Sequence, residues 1–310
     1  MTERTGLRVR RLGARLLALD DVDLGHNPGS ALRGALAAAL RDRRCDDDAT
    51  WNSSHRRHCP ACLFLAGADP AWPRGRDLPR PYTIEPVTPR VAAGEQWSFS
   101  LTLIGPAIEL NEAVIDAVEL AAARGIGRGR GRSVLLEAVW LSPIDDLGAS
   151  VADDERITAS TEPVETLTIA FRTPLRLTHR GKLVRSPNLE VLVQRLLERL
   201  EALSLLYGDD PPPPAVWRAR RAAVQPVAQG AVLEHDATRW HDAWSGSRRS
   251  GTITPTGGIV GEARWRGDLT ALIPWLRWGA AVHVGKNAVK GDGWIALSAV
   301  SASPPSRRGE

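Results

Sequence analysis

The chain has 310 residues, 43% apolar and 25% charged, enough to bury a substantial core and long enough for two domains of ordinary size. Forty Lys and Arg against 36 Asp and Glu leave a net charge of +4, too small for bulk charge to choose a polyanionic partner, so the placement of arginine carries more information than its count. The placement is uneven: "RGIGRGRGR" (124–132) has four arginines in nine residues, and "WRARR" (217–221) and "SRR" (247–249) add smaller clusters, the local basic footprint of a nucleic-acid binder. The opening "MTERTGLRVRRLGARLL" is charged throughout, which argues against a secretory signal or a membrane span and for a cytoplasmic protein with no membrane partner. In that reducing compartment the three cysteines are expected as thiols or metal ligands, not as a disulfide framework.

Residues 7–19 (LRVRRLGARLLAL) read as a strand. Residues 30–44 read as a helix with Ser30 as N-cap and Leu32, Leu36 and Leu40 on one face. Strands follow at 82–87 (YTIEPV) and 97–104, the second alternating Trp97, Phe99, Leu101 and Leu103 with Ser98, Ser100 and Thr102 as a half-buried strand does. A helix at 109–124 sets Leu110, Val114, Ala117, Val118 and Ala121 at helical spacing; the arginine–glycine loop ends it, and 133–141 (SVLLEAVWL) is a strand. The order is β-α-β-β-α-β, that of a ferredoxin-like domain, here over 1–142 with a Cys-, His- and Pro-containing insert at about 45–96.

Residues 143–163 are acidic, polar and non-periodic, as an interdomain linker is. The order then repeats over 164–302. A strand at 165–177 contains a proline, and a helix at 188–206 carries the stripe Leu189, Leu192, Val193, Leu196, Leu197, Leu200 and Leu203. Pro211 to Pro214 bar its continuation. Strand-like stretches lie at 229–243 and 252–266, a short helix at 268–278, and a closing strand at 294–300 before a flexible tail, 303–310. The expected fold class is α+β, two tandem ferredoxin-like (RRM-like, βαββαβ) domains, each with a basic glycine loop between its last helix and last strand.

The second of these loops, "HVGKNAVKGDG" (283–293), has the spacing G-x5-G-x-G and leads from a helix into a strand, so it fits neither the nucleotide P-loop nor the dinucleotide fingerprint. Either its glycines bring backbone N–H groups close to a phosphate while Lys286 and Lys290 supply charge, or it is a tight turn whose lysines are solvated.

The ordered set "PGSALRGALAAALR" (28–41), "CPAC" (59–62), "IGPAIEL…AAARGIGRGRGR" (104–132), "FRTPLRLTHRGKLV" (171–184), "TGGIVGEARWRGDL" (256–269) and "HVGKNAVKGDG" (283–293) spans almost the whole chain. It resembles the RAMP superfamily of CRISPR-associated proteins, and within it the endoribonucleases that cut CRISPR precursor RNA inside its repeats. The resemblance implies RNA bound across the shared face of two ferredoxin-like domains, with Gly285, Lys286, Asn287, Lys290, Gly291 and Gly293 holding its backbone. It also implies a reaction that needs no metal or other cofactor. The 2′-hydroxyl upstream of the scissile phosphate attacks in line, leaving a 2′,3′-cyclic phosphate and a 5′-hydroxyl. Such a step asks for a base, an acid and cations around the phosphorane.

Seven histidines are available. His26, in "LGHNPGSALRG" between the first strand and first helix, is the leading base, although the helix itself holds no histidine. His179 in "LTHRGK", with Lys182, is the second candidate. His283 is read as a loop or core residue, and His235 and His241 as structural or surface residues. Arg33, Arg128, Arg130 and Arg132 are read as phosphate contacts in preference to a solvated charge run, because glycine alternation in the loop costs backbone entropy with no evident structural return. Trp265, Trp275 and Trp278 are expected in the core.

Cys45, Cys59 and Cys62, with His58 or His55, offer a four-coordinate set for a structural zinc; the alternative is buried thiols. Three functions therefore compete: an endoribonuclease that matures CRISPR RNA and stays on its product within an effector complex, a non-catalytic RAMP subunit that binds crRNA beside other effector subunits, and a general single-strand RNA-binding module. The last lacks its RNP aromatic signature.

Overall fold

The structure, a computed structural model, describes residues 4–42, 59–65, 78–85, 88–141, 163–246 and 253–301. In the N-terminal half, β1 (Val9–Ala18) is followed by β2 (Val22–Asp23), α1 (Pro28–Arg41), α2 (Pro60–Leu65), β3 (Tyr82–Glu85), β4 (Arg90–Val91), β5 (Gln96–Ile104), α3 (Asn111–Arg124) and β6 (Ser133–Trp140). The sheet order is β3-β5-β1-β6, with every pairing antiparallel and β2-β4 forming a small ribbon at one end. Placing the first and third major strands at the centre is the ferredoxin arrangement. Helices α1 and α3 cover one face through Leu32, Leu36 and Leu40 and through Val114, Ala117, Val118 and Ala121.

Two expectations are corrected here. Helix α1 starts two residues early, because Asn27, not Ser30, is the N-cap: its side-chain oxygen accepts from the Ser30 N–H at 3.0 Å, and Pro28 takes the first turn, where a missing N–H costs nothing. Strand β5 is also not half-buried. Trp97, Phe99, Leu101 and Leu103 are buried as expected, yet Ser100 and Thr102 are buried too. The C-terminal half lies over this edge of the sheet, where the hydroxyl of Thr83, cross-strand neighbour of Thr102, donates to the Ala281 carbonyl at 3.2 Å.

The C-terminal half comprises β7 (Val164–Leu175), the hairpin β8 (Leu177–His179) and β9 (Lys182–Val184), α4 (Leu189–Tyr207), α5 (Pro214–Gly230), β10 (Val232–Asp236), β11 (Arg239–His241), β12 (Trp244–Gly246), β13 (Ile253–Pro255), β14 (Gly258–Arg266), α6 (Ile273–Val282) and β15 (Ile295–Ser301). Its main sheet runs β10-β14-β7-β15, antiparallel throughout, with β11 also on β14. The full stripe of α4 is buried and Asn188 caps it, accepting from the Val191 N–H at 2.9 Å.

Helix α5 is absent from the sequence reading. The prolines at 211–214 do end α4, but Pro214 then opens a second helix, the position proline suits best, and Pro226 lies inside it. Buried Trp217, Arg220, Val224 and Ala228 recur at helical spacing. Trp217 meets Trp275 of α6 with ring centroids 6.2 Å apart, and the Arg220 guanidinium lies over both indoles at 4.7 and 5.4 Å. The expected strand 229–243 is thus helix end plus β10 and β11. The expected short helix becomes a 3-10 turn, Thr270–Leu272, running into α6, while Trp265, Trp275 and Trp278 are buried as expected. The stretch read as a linker lies outside the described residues apart from Pro163.

The halves are stitched together away from the sheets as well. The Tyr207 hydroxyl at the end of α4 donates to the Pro79 carbonyl at 2.9 Å, and Arg8 pairs with both Glu109 and Asp209. One continuous apolar cluster runs through both halves.

Candidate nucleic-acid interface

His26 is exposed in the turn that leads into α1. That turn is held by the Gly25 N–H, which donates to the Asp23 carboxylate at 2.8 Å, and by the Asn27 cap. The arginine–glycine loop packs directly beside it: the Arg128 side chain lies over Gly25, and the Arg128 N–H donates to the Asp23 carbonyl at 2.7 Å. The glycine alternation has a structural return after all. A Cβ on Gly127 would come within 2.1 Å of the Asp23 carbonyl oxygen, and one on Gly131 within 2.2 Å of that of Asp21, so the loop approaches β2 more closely than any side chain permits.

The loop arginines are not equivalent. Arg132 makes three hydrogen bonds to the Asp20 carboxylate, which these bonds hold below its ordinary range, so Arg132 also braces the loop. Arg128 and Arg130 are exposed and have no carboxylate partner among the described residues. Arg33, one turn into α1, is half-buried and hydrogen-bonded to Tyr82 of β3. Burial raises the Tyr82 hydroxyl, with Arg33 and Arg80 acting against it, and Phe64 of α2 packs on its ring at 5.3 Å. Nothing local in the sequence pairs Arg33 with Tyr82; the sheet order brings them together.

The C-terminal glycine loop joins this same neighbourhood. A Cβ on Gly29 would stand 1.9 Å from the Lys290 carbonyl oxygen, so the loop's main chain is pressed against the first turn of α1. Its backbone is closed on itself and on β7: the N–H groups of Lys286, Lys290, Gly291 and Gly293 donate to the carbonyls of Arg176, Asn287, Ala288 and Pro174. The N–H groups of Gly291 and Gly293 therefore have main-chain partners, Asn287 is left-handed at φ 63°, and Lys286 is exposed. The contact with Gly29 puts Lys290 at the start of α1.

Under the loop lie two buried ionisable groups, His283, stacked on Trp294 at 6.3 Å, and Asp292. Burial, then the charges of Arg199 and Arg11, lower His283 from 6.5 to about 3. Burial raises Asp292 from 3.8 to about 7, against the Asn287 hydrogen bond and the Lys290 charge. The pH slopes oppose each other. For Asp292 the unfolded state holds fewer protons, so stability falls as pH rises from about 3.8 to about 7; for His283 it holds more, so stability falls as pH drops from 6.5 to about 3. Asp292→Asn removes the first slope. Thermal midpoints of that variant should climb between pH 4 and 6.5 more steeply than those of the parent protein, and parallel curves would contradict the assignment.

The second catalytic candidates lie on the hairpin that follows Arg176. His179 and Lys182 face each other across the β8–β9 hairpin, where His179 lies beside Glu190 at the start of α4 and helps to lower its carboxyl, after the Gln229 hydrogen bond and others. His235 and His241 are exposed, as expected. Of the zinc set, Cys45 and His58 lie outside the described residues, as does His55, and Cys59 and Cys62 alone are two ligands of a four-ligand site. Among the described residues there is no group of three or more metal-ligating side chains, and no helix is long and apolar enough to cross a membrane.

Two antiparallel βαββαβ units, with a glycine loop from the second seated on the first helix of the first, define a tandem ferredoxin-like protein. Residues 7–164 match the family model AF_1859_N, described as an N-terminal domain, and residues 169–295 match that of the CRISPR-associated endoribonuclease Cas6. Residues 7–164, half of the chain, thus belong to the AF_1859_N family, and residues 169–295 carry a domain like that of the CRISPR-associated endoribonuclease Cas6. The fold of the chain is similar to that of Thermus thermophilus Cas6 (16% identity, 94% of this chain and 99% of that one, TM-score 0.56). It is also similar to a Cas6 product complex (17%, 94% and 100%, 0.58) and to a partial Cas6-RT-Cas1–Cas2 complex (14%, 96% and 47%, 0.58). No curated protein matches by sequence.

Proposed function

We propose that the protein is a metal-independent endoribonuclease that binds the repeat of CRISPR precursor RNA and cuts it by transesterification. The observation that carries this reading is the contact of Lys290 with Gly29, since it sets the C-terminal loop at the start of α1, where the exposed His26 already has Arg128 beside it. A histidine open to solvent, with an arginine over the preceding residue and the main chain of a lysine-bearing loop against the following turn, suits such a reaction. His26 takes the proton of the attacking 2′-hydroxyl, the P–O5′ bond breaks as the cyclic phosphate forms, and the departing 5′-oxygen takes a proton from solvent. Arg128 and Arg33 face the charge that develops on the phosphorane, and Lys286, Lys290 and Arg130 hold the phosphates on either side. His179 and Lys182, paired across their hairpin, are the second candidates for proton transfer.

The match of residues 169–295 to the Cas6 endoribonuclease model supports endonuclease activity, and one structural neighbour is a Cas6 product complex. Retention of the crRNA in a cytoplasmic effector complex follows from the same reading. Any zinc held by Cys45, Cys59, Cys62 and His58 would brace the insert, because four protein ligands leave no open position. The test is incubation of the purified protein with an end-labelled repeat RNA in EDTA. One cut with a cyclic-phosphate end is expected; tight binding with the RNA intact would favour the non-catalytic subunit.

A further inference from the structure

A second group of basic and aromatic side chains lies on the far side of the glycine loop, in residues to which the proposed reaction assigns no role. Trp240 of β11 is half-buried, its inner side against the core and its indole N–H donated to the Asp242 carboxylate at 2.9 Å, so the ring is fixed in place. Two arginines reach it from the two ends of the β8–β9 hairpin. The Arg185 guanidinium lies over the ring at 4.8 Å from the centroid and that of Arg176 at 6.0 Å. Arg176 donates to the Gly257 carbonyl at 2.9 Å, and its own carbonyl accepts the Lys286 N–H at 3.2 Å, which makes this group continuous with the glycine loop.

Arg185 is exposed, and no carboxylate pairs with it among the described residues. A guanidinium held in solvent with an aromatic ring beneath it and no counter-charge presents a flat cationic surface. Planar guanidinium groups and indoles are the surfaces on which unpaired nucleobases stack, and base stacking tolerates any sequence because every base has a π-face. A surface ion-pair network would instead bring a carboxylate to the arginine, and a purely structural tryptophan would not need two cations over it.

We propose that Trp240 and Arg185 form a stacking step for one unpaired nucleobase of the RNA, with Arg176 and Lys286 on the adjoining phosphate. The proposal rests on the RNA-binding function argued above and adds a subsite to it: the RNA leaves the glycine loop single-stranded on this side, with one base laid on the Arg185 plane.

The test is the affinity of the full-length protein for fluorescently labelled repeat RNA, measured over a series of salt concentrations for Trp240→Ala, Arg185→Ala and Arg185→Lys. Loss of a base stack weakens binding by about 5-fold to 150-fold. Losses in that range are expected for Trp240→Ala and Arg185→Ala. Arg185→Lys keeps the charge but not the plane and is expected to fall with them. The salt dependence of Trp240→Ala should match that of the parent, since no charge is removed. Should the Trp240 variant melt early, the two Arg185 variants, altered only at an exposed side chain, still decide the question. Parental affinity in Arg185→Lys would mean that charge alone acts there and would overturn the stacking step while leaving RNA binding intact. Failure of the parent protein to bind any repeat RNA would remove the broader reading and this one with it.

Discussion

Replacing His26 by alanine should lower the cleavage rate by about 10²-fold to 10⁴-fold, the range supplied by a positioned general acid or base, while leaving affinity for repeat RNA and the thermal midpoint close to the parent's. The expectation of unchanged stability comes from the position of the residue: the imidazole is exposed, and the turn is held by Gly25, Asp23 and the Asn27 cap, not by His26. Single-turnover cleavage with saturating enzyme separates the two effects. A parental rate in the variant would transfer proton abstraction to another group and leave the phosphate-binding assignments standing.

Gly29→Ala is the larger structural perturbation. The new methyl would lie 1.9 Å from a main-chain oxygen of Lys290, an atom that can move only if the whole loop moves. Overpacking of this kind costs about 1–3 kcal/mol. The stabilised element is also the one that sets Lys290 against α1, so displacement by an ångström should reduce cleavage by about 10²-fold although Gly29 makes no chemistry of its own. The control is Gly34, farther along the same helix, where a Cβ meets nothing within 4 Å; Gly34→Ala should stabilise by up to about 1 kcal/mol and leave cleavage unchanged. Urea denaturation and single-turnover rates check both. Equal behaviour of the two alanine variants would mean that the contact between loop and helix has no functional weight.

The alternation of β5 and the stripe of α4 made elements of both halves legible in the sequence, because the periods of 2 and 3.6 survive in the residue order. Helix α5 was not legible, since four successive prolines read as an end and only the spacing of Trp217, Arg220, Val224 and Ala228 marked a new start. The candidate site was legible in part. His26 and Arg128 lie in motifs that stand out locally, but their proximity depends on the arginine–glycine loop packing on β2, a long-range contact without a local signature. The pairing of Arg132 with a carboxylate 112 positions away, Asp20, has no local signal. Gly291 and Gly293 signal a tight backbone, but the main-chain partners of their N–H groups, in β7 and within the loop, are set by the fold.

The proposed nucleophile, the 2′-hydroxyl beside the scissile phosphate at a site without a catalytic metal, is tested with one modified substrate. A labelled repeat RNA with a single 2′-deoxyribose immediately upstream of the scissile phosphate is compared with the all-ribose strand, both in EDTA. The all-ribose strand is expected to be cut once, leaving a 2′,3′-cyclic phosphate, and the deoxy strand to bind equally well and stay intact. Cleavage of the deoxy strand, or cleavage of the ribose strand only after a divalent metal is restored, would contradict this assignment.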